Sequence, residues 1–421
     1  MARDITAYGF KGMSNLPGST AKLLDDERQI APQIILDADI TDKGQVQARK
    51  GFKPATALVG SHSLWAGSLM LCVAQGASSA QALFRIEGVS AWEICNISGP
   101  RFLTTIMEIN GLIYISNPAW KGILEPATGA VRGWGVPLPP APDLSVAPGE
   151  VPPGTYFVTY TNVVGGRIGG NGPVTQIGWS GGDAGIRLNN LPAGALAWIT
   201  HAEGGTMFLA LPTGNVISRA TPEAQELPTF MCQPPPGFTH FACDHGRIWG
   251  VRGSKLYFSE SNRYELFRDG GYIPFTEDLV MAAPTSNGVF VNSLTTTWFL
   301  DGTDPAQMKK EKVGDGALPG SLAYAQMSGP SVGGGYEISR KQTQMPSPVW
   351  ITKAGIVVGT QTGHVVHLTE QKVRMNAKSY GAGLYRMQDG IPQVIMSLYG
   401  PPAGDVDEEI QTVFADGHLF D

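Results

Sequence analysis

The sequence predicts an all-β fold, an irregular β-propeller of about six blades interrupted by one inserted β-sandwich. Three observations predict it. A unit of glycine, apolar strand, polar turn and second strand recurs along the chain; the composition is that of short strands and turns; and a run of alternating strands is bracketed by two proline-rich passages. The recurring unit is clearest between residues 244 and 304. Each half begins at a glycine, Gly246 or Gly288, 42 residues apart. An apolar stretch follows (248–251 and 289–291), then a second strand with an aromatic pair, Tyr257-Phe258 or Trp298-Phe299. Alternation with tight turns is the mark of an antiparallel hairpin with one face buried and one wet. The pattern returns at 354–368 and, more weakly, at 110–124. One hairpin cannot bury its apolar face alone in water. Repetition therefore implies small sheets packed radially. At roughly 45–55 residues per blade, the chain outside the insertion makes about six or seven blades. The expected division is an N-terminal arm and first hairpin (1–53), a first propeller part (54–142), the inserted sandwich (143–222), a second propeller part (223–375) and a closing segment (376–421).

Composition supports this reading. Of 421 residues only 16% are charged, while Gly (54) and Pro (31) are abundant, which fits many turns and argues against long helices or disorder. A net charge of −6 gives no reason to expect a surface that coats nucleic acid, although a protein that merely surrounds passing DNA can be mildly acidic. The cysteines, Cys72, Cys95, Cys232 and Cys243, have no CxxC spacing and read as reduced, buried thiols of a protein assembled in a cytosol. No basic-then-apolar signal segment opens the sequence. Residues 54–84 contain no Asp, Glu, Lys or Arg, but Pro54, Gly60, His62, Gly67, Gln75 and Gly76 interrupt them. They read as a pair of buried strands and not as a membrane span.

In chain order, residues 1–33 are rich in turn formers, with a short helical turn expected in LLDDERQIAP before Pro32. Residues 34–53, IILDADITDKGQVQARKGF and the lysine after it, read as strand, TDKG turn, strand and a basic-Gly-aromatic end at Arg49, Lys50, Gly51 and Phe52. Together with the earlier Gly-Met-Ser-Asn segment, His62-Ser63-Leu64-Trp65 and the hairpins at 244–267, 286–304 and 354–370, this resembles bacteriophage virion propeller proteins. The best-understood of these are the tail nozzle, or tail tubular B-like, proteins of short-tailed phages. The resemblance covers about two-thirds of the chain. It implies a structural ring protein, a hexamer around the DNA-ejection channel, made in the bacterial host cytoplasm and residing in the virion tail. It implies as partners other tail proteins on the adaptor or portal side, fibres or a tail tip, and passing genomic DNA bound without sequence specificity.

Residues 134–153 read as a proline-stiffened linker, because proline is excluded from sheet interiors. Beyond it, Tyr156, Val158 and Tyr160, then Ile186 and Leu188, alternate in strands about 10–15 residues apart, the signature of a small β-sandwich. Its order of Tyr, Gly, Pro-Val, Leu-Pro and Trp-Ile is similar to a fibronectin type III-like, immunoglobulin-like module. A second proline-rich passage, 227–238, returns the chain to the propeller.

The sequence offers several chemistries and supports none of them strongly. Gly329 to Gly333 match GxSxG, but Gly333, Gly334 and Gly335 after Ser331 oppose the helix a nucleophile elbow needs. Cys232, His240, Cys243 and His245 fit no ordinary zinc spacing, and Pro234, Pro235 and Pro236 intervene. His364 and His367, three apart on a strand, face opposite sides. Asp37, Asp39, Thr41, Asp42 and Gly44 suggest a calcium loop, but the glycine is misplaced and no closing Glu follows. Gly165 to Gly170 lack the GxGxxG order and read as a sandwich loop. Asp301 and Asp304 read as turn residues capping backbone amides. The acids Asp405, Asp407, Glu408 and Glu409 read as a solvated loop, or as a dock for a basic partner. No catalytic, cofactor or metal residue is therefore assigned, and the protein is not expected to be an enzyme. A second reading, a host-glycan-binding tail component without catalysis, would use the Trp and Tyr rings as stacking platforms. The strand positions of Trp249, Trp298 and Trp350 favour core filling instead.

Overall fold

The computed structural model describes residues 56–78, 80–219, 224–325, 346–368, 380–388, 391–399 and 411–416, together with four short upstream strands described by backbone alone. Every regular element among them is a β-strand. No helix among the described residues is long and apolar enough to cross a membrane.

Six small antiparallel sheets follow one another along the chain. The first joins His62–Ala66, Met70–Gln75, Gln81–Glu87 and Ser90–Ile97; the second joins Thr105–Ile109, Leu112–Ser116, Lys121–Leu124 and Val131–Gly133. The third runs His240–Asp244, Arg247–Arg252, Lys255–Glu260 and Arg263–Pro274, with Cys232–Gln233 added at the outer edge. The fourth joins Leu279–Thr285, Gly288–Ser293, Thr296–Asp301 and Lys309–Asp315, and the fifth Ala323–Ala325, Ser347–Thr352, Gly355–Gly359 and Val365–His367. The sixth has three strands, Tyr380–Gln388, Ile391–Tyr399 and Gln411–Asp416. Apart from the added strand Cys232–Gln233, which pairs with Arg263–Pro274, each is a simple meander, so neighbours in sequence are neighbours in the sheet. Turn chemistry sets the registers. Asn110-Gly111 (φ 52° and 76°) and His245-Gly246 (φ 50° and 68°) hold two successive left-handed residues, the geometry of a two-residue hairpin turn.

The core lies between sheets. Leu71, Val73 and Leu83 of the first meet Ile113, Ile115 and Leu124 of the second. Ile109, Tyr114 and Ile123 of the second meet Phe241, Ile248 and Phe267 of the third. Trp249 and Val251 of the third meet Val289, Val291 and Trp298 of the fourth, and Phe290 of the fourth meets Trp350 and Val357 of the fifth. Ile351, Ile356 and Val358 of the fifth meet Val394 and Met396 of the sixth. Each middle sheet is thus buried on both faces by its neighbours, the blade-by-blade construction of an irregular β-propeller. At about 25 cal/mol per Å² of apolar surface removed from water, this mutual burial is what stabilises hairpins that could not stand alone.

Between the second and third sheets the chain makes a β-sandwich. One sheet is Leu144–Val151, Ala184–Leu188 and Val216–Ile217. The other is Arg167–Asn171, Gly154–Val164, Leu196–Ile199 and Phe208–Ala210, with Thr175–Trp179 also pairing to the long strand. Tyr156, Val158, Tyr160, Ile186 and Leu188 fill its interior, as their alternation predicts.

Four local expectations are corrected. The stretch 134–153 is not linker throughout: Leu144–Val151 is a strand, and Pro148 is accommodated because the register shifts between Ala147 and Val151 and the strand lies at a sheet edge. Gly165 to Gly170 are not all loop: Gly165 and Gly166 turn, while Arg167–Asn171 is a strand. Gln29–Ile30, read within a helical turn, pairs in parallel with Gly9–Phe10. Of the uncharged stretch 54–84, Met70–Gln75 is a largely buried strand, but His62–Ala66 is half-exposed. The 34–53 hairpin pairs Ala38–Ile40 with Val46–Ala48. Ser331 with its glycines, and the acids at 405–409, lie outside the described residues.

Candidate functional site

The structure separates the residues that a zinc site would need. His240 and Cys243 lie on one edge strand of the third sheet and Cys232 on the opposite edge, four strand spacings or roughly 19 Å away. His240 is half-buried by exposed surface but packed in among protein groups, and this desolvation pulls its pKa down to about 4. Its Nδ1 accepts the Ala282 N–H at 3.3 Å, which ties the third sheet to the fourth. Among the described residues no group of three or more His, Cys, Asp or Glu could hold a metal ion. All four cysteines are free thiols; Cys72 and Cys232 are buried, but Cys95 and Cys243 are only half-buried. Burial raises Cys95 and Cys243 to about 11. His364 lies in the turn before Val365–His367. Asp304 caps its turn by accepting the Ala306 N–H at 3.1 Å. Trp249, Trp298 and Trp350 are buried between sheets and offer no platform to a ligand.

The chemistry the structure does assemble lies where the sandwich meets the second and third sheets. The sandwich strand Arg167–Asn171 runs against residues 229–233. Thr229 Oγ1 donates to the Gly169 carbonyl at 2.7 Å, and the Met231 N–H to Asn171 Oδ1 at 2.6 Å. Glu265, on the outer strand of the third sheet, receives two guanidinium groups. Arg132 of the second sheet donates at 2.8 Å, and Arg167 of the sandwich pairs with the other carboxylate oxygen. One carboxylate therefore joins three structural units. Its side chain is 19% exposed, so the pairs are partly screened. Trp134 donates its ring N–H to the Tyr264 carbonyl at 2.8 Å, and its ring stands edge-on to Tyr114 at 5.1 Å.

A cleft of about 320 Å³ opens at this junction, lined by Tyr114, Arg167, Asn262, Arg263, Tyr264 and Glu265 among others. Burial first, and then the nearby Glu265 charge, push the Tyr114 hydroxyl up to about 12, so it stays a neutral hydrogen-bonding group. Burial likewise raises Tyr264, with the neighbouring Cys243 adding to it. Arg263 gives one guanidinium nitrogen to the Pro228 carbonyl at 3.0 Å, and no carboxylate pairs with it among the described residues. Arg132 Nη1 is buried without a hydrogen-bond partner. The lining is mainly apolar, with Arg167, Asn262, Arg263 and Glu265 supplying its polar and charged groups. From sequence, Arg167 and Ile168 fall inside the glycine-rich run read as a sandwich loop, and no binding role is assigned to any lining residue. The lining residues come from segments near 114, 136, 167 and 262–266, and no fixed spacing links them.

No family model matches the chain, and no curated protein matches it. Solved structures with a likeness include BBS1N in complex with ARL6DN, at 11% identity and a TM-score of 0.32, covering 85% of this chain and 96% of that one. PorZ, an essential bacterial surface component of the type-IX secretion system of Porphyromonas gingivalis, is similar at 11% identity and a TM-score of 0.27 over 82% of this chain and 38% of that one. The extracellular domain of the one component system BT4673 from B. thetaiotaomicron gives 10% identity and a TM-score of 0.22, covering 92% and 62%. Likenesses this remote carry no functional argument, and the blade construction rests on the chain's own strand pairing.

Proposed function

We propose that this chain is a structural component of a bacteriophage tail, a nozzle or hub subunit that forms a ring around the DNA-ejection channel and acts in assembly, channel closure and fibre attachment. The observation that carries the reading is the distribution of exposed apolar side chains. Six of the sixteen large apolar side chains that stand exposed among the described residues lie on the two terminal sheets, and the others are spread over the sandwich and the connecting turns. Val89 (82% exposed), Trp92 (50%), Leu64 and Met70 lie on the first sheet, and Tyr380 (53%) and Leu384 (57%) on the sixth. Exposed apolar side chains on both end sheets favour protein contact there. Subunits with such end surfaces suit a cyclic assembly, in which one patch repeatedly meets another. The hairpin resemblance at 34–53 and the late blade at 354–368 support a virion setting. A hexamer contacting adaptor-side proteins and fibres follows from the same resemblance.

Light scattering on the purified full chain, with electron cryo-microscopy of particles from the encoding phage, tests this. A ring of about six copies located in the tail is the expected result. A stable monomer absent from the particles would overturn it.

A further inference from the structure

We propose that the cleft between the sandwich and the second and third sheets is a binding site for a carboxylate-bearing saccharide. Arg167 and Arg263 line the cleft with Glu265, and Arg132, outside the lining, pairs with the same carboxylate from the second sheet. Within the cluster two positive charges are left over. Arg263, which borders the cleft, has its planar fork tied at one nitrogen only, to a neutral carbonyl. A fork of this kind matches the two oxygens of a carboxylate. The other lining groups are those a sugar's hydroxyls need. Asn262 brings an amide that both donates and accepts, and its backbone, left-handed at φ 56°, donates its N–H to the Gly246 carbonyl at 2.7 Å. Glu265 is an acceptor fixed from two sides, and the buried Tyr114 hydroxyl stays neutral. A volume of about 320 Å³ is at the small end of ligand sites and holds a sugar of one or two rings. The recognition uses guanidinium and amide groups and not exposed tryptophan faces, which is why counting aromatic residues does not find it. The inference is independent of the assembly role.

Isothermal titration of the full chain with a glucuronate-containing disaccharide, its neutral glucose counterpart and inorganic phosphate tests it. Saturable binding of the acidic sugar is expected, with the neutral sugar and phosphate each weaker by about tenfold or more, the worth of one charge-assisted contact. Arg263→Ala and Asn262→Ala, which leave the Glu265 pairs intact, are expected to weaken acidic-sugar binding by about tenfold or more without lowering the melting temperature. Equal binding of the neutral sugar, or of phosphate, would overturn the assignment. So would unchanged affinity in both variants, or no saturation by the acidic sugar in the millimolar range. Any of these leaves the sizing result for the ring untouched.

Discussion

Gly170 of the sandwich approaches Cys232 of the third sheet so closely that a Cβ on the glycine would lie 1.6 Å from the cysteine's carbonyl oxygen. Backbone meets backbone there, so no side-chain rotation could relieve an added methyl. Gly170→Ala is expected to destabilise the protein by about 1–3 kcal/mol, the range for an overpacked contact. Gly182→Ala is the control, because a Cβ there meets nothing within 4 Å. Urea denaturation of the two variants beside the parent checks this, and equal midpoints for all three would contradict the close approach.

Glu265 joins the second sheet, the third sheet and the sandwich through Arg132 and Arg167. Removing the carboxylate leaves two guanidinium groups facing each other in a half-buried site. Glu265→Ala is expected to cost about 1–3 kcal/mol, less than a fully buried pair because both arginines are about one-third exposed. The loosened junction should also speed limited proteolysis in the proline-rich connections at 134–143 and 228–237. A protease pattern identical to the parent's would show that Glu265 does not hold the sandwich.

The sequence made the sheets legible and left the junction illegible, for one physical reason. A hairpin is local: Gly246 and Gly288, the alternation of Tyr156, Val158 and Tyr160, and the buried Trp249 and Trp350 all follow from neighbours a few residues apart. Arg132, Arg167 and Glu265 meet only after an insertion folds and docks, and nothing in their spacing records it. The same docking explains Gly169 and Gly170. They look like loop glycines but serve backbone approach, since Cβ atoms there would strike Val136 and Cys232. Pro148 misleads in the other direction, because an edge strand with a register shift tolerates what a central strand would not.

Trp350 is fully buried against Phe290, ring centroids 5.4 Å apart, at the joint of the fourth and fifth sheets. Its ring N–H has no hydrogen-bond partner. Trp350→Ala should therefore cost about 3–5 kcal/mol through the cavity it leaves. Trp350→Phe should cost less than about 1.5 kcal/mol, since it keeps most of the ring and removes an unmade donor. Chemical denaturation distinguishes the two. Equal losses would mean that the indole nitrogen contributes after all.

Trp92 lies half exposed on the outer strand of the first sheet, opposite Arg85, and its loss should hardly touch the fold. If that face is a subunit contact, Trp92→Glu places a charge in an apolar interface and should weaken assembly by about tenfold or more while the melting point of the dissociated chain changes little. Light scattering across a dilution series reads this directly. Unchanged assembly would remove the first sheet from the interface.

His240 gives the protein an acid sensitivity whose sign is fixed by burial. Its Nδ1 accepts the Ala282 amide, so the neutral ring carries its proton on Nε2. Charging it requires a second proton on the atom that is already accepting. Burial accordingly pulls its pKa from the ordinary 6.5 to about 4. Between these values the unfolded chain takes up a proton that the native one refuses. Stability is then full above pH about 6.5 and falls by about 1.4 kcal/mol per unit below it, on the order of 3 kcal/mol by pH about 4. In His240→Gln, which keeps a polar side chain but cannot titrate, this part of the slope should vanish. Urea midpoints at pH 7.5 and 5.0 for parent and variant measure the difference. Parallel losses in the two proteins would assign the acid sensitivity to other groups.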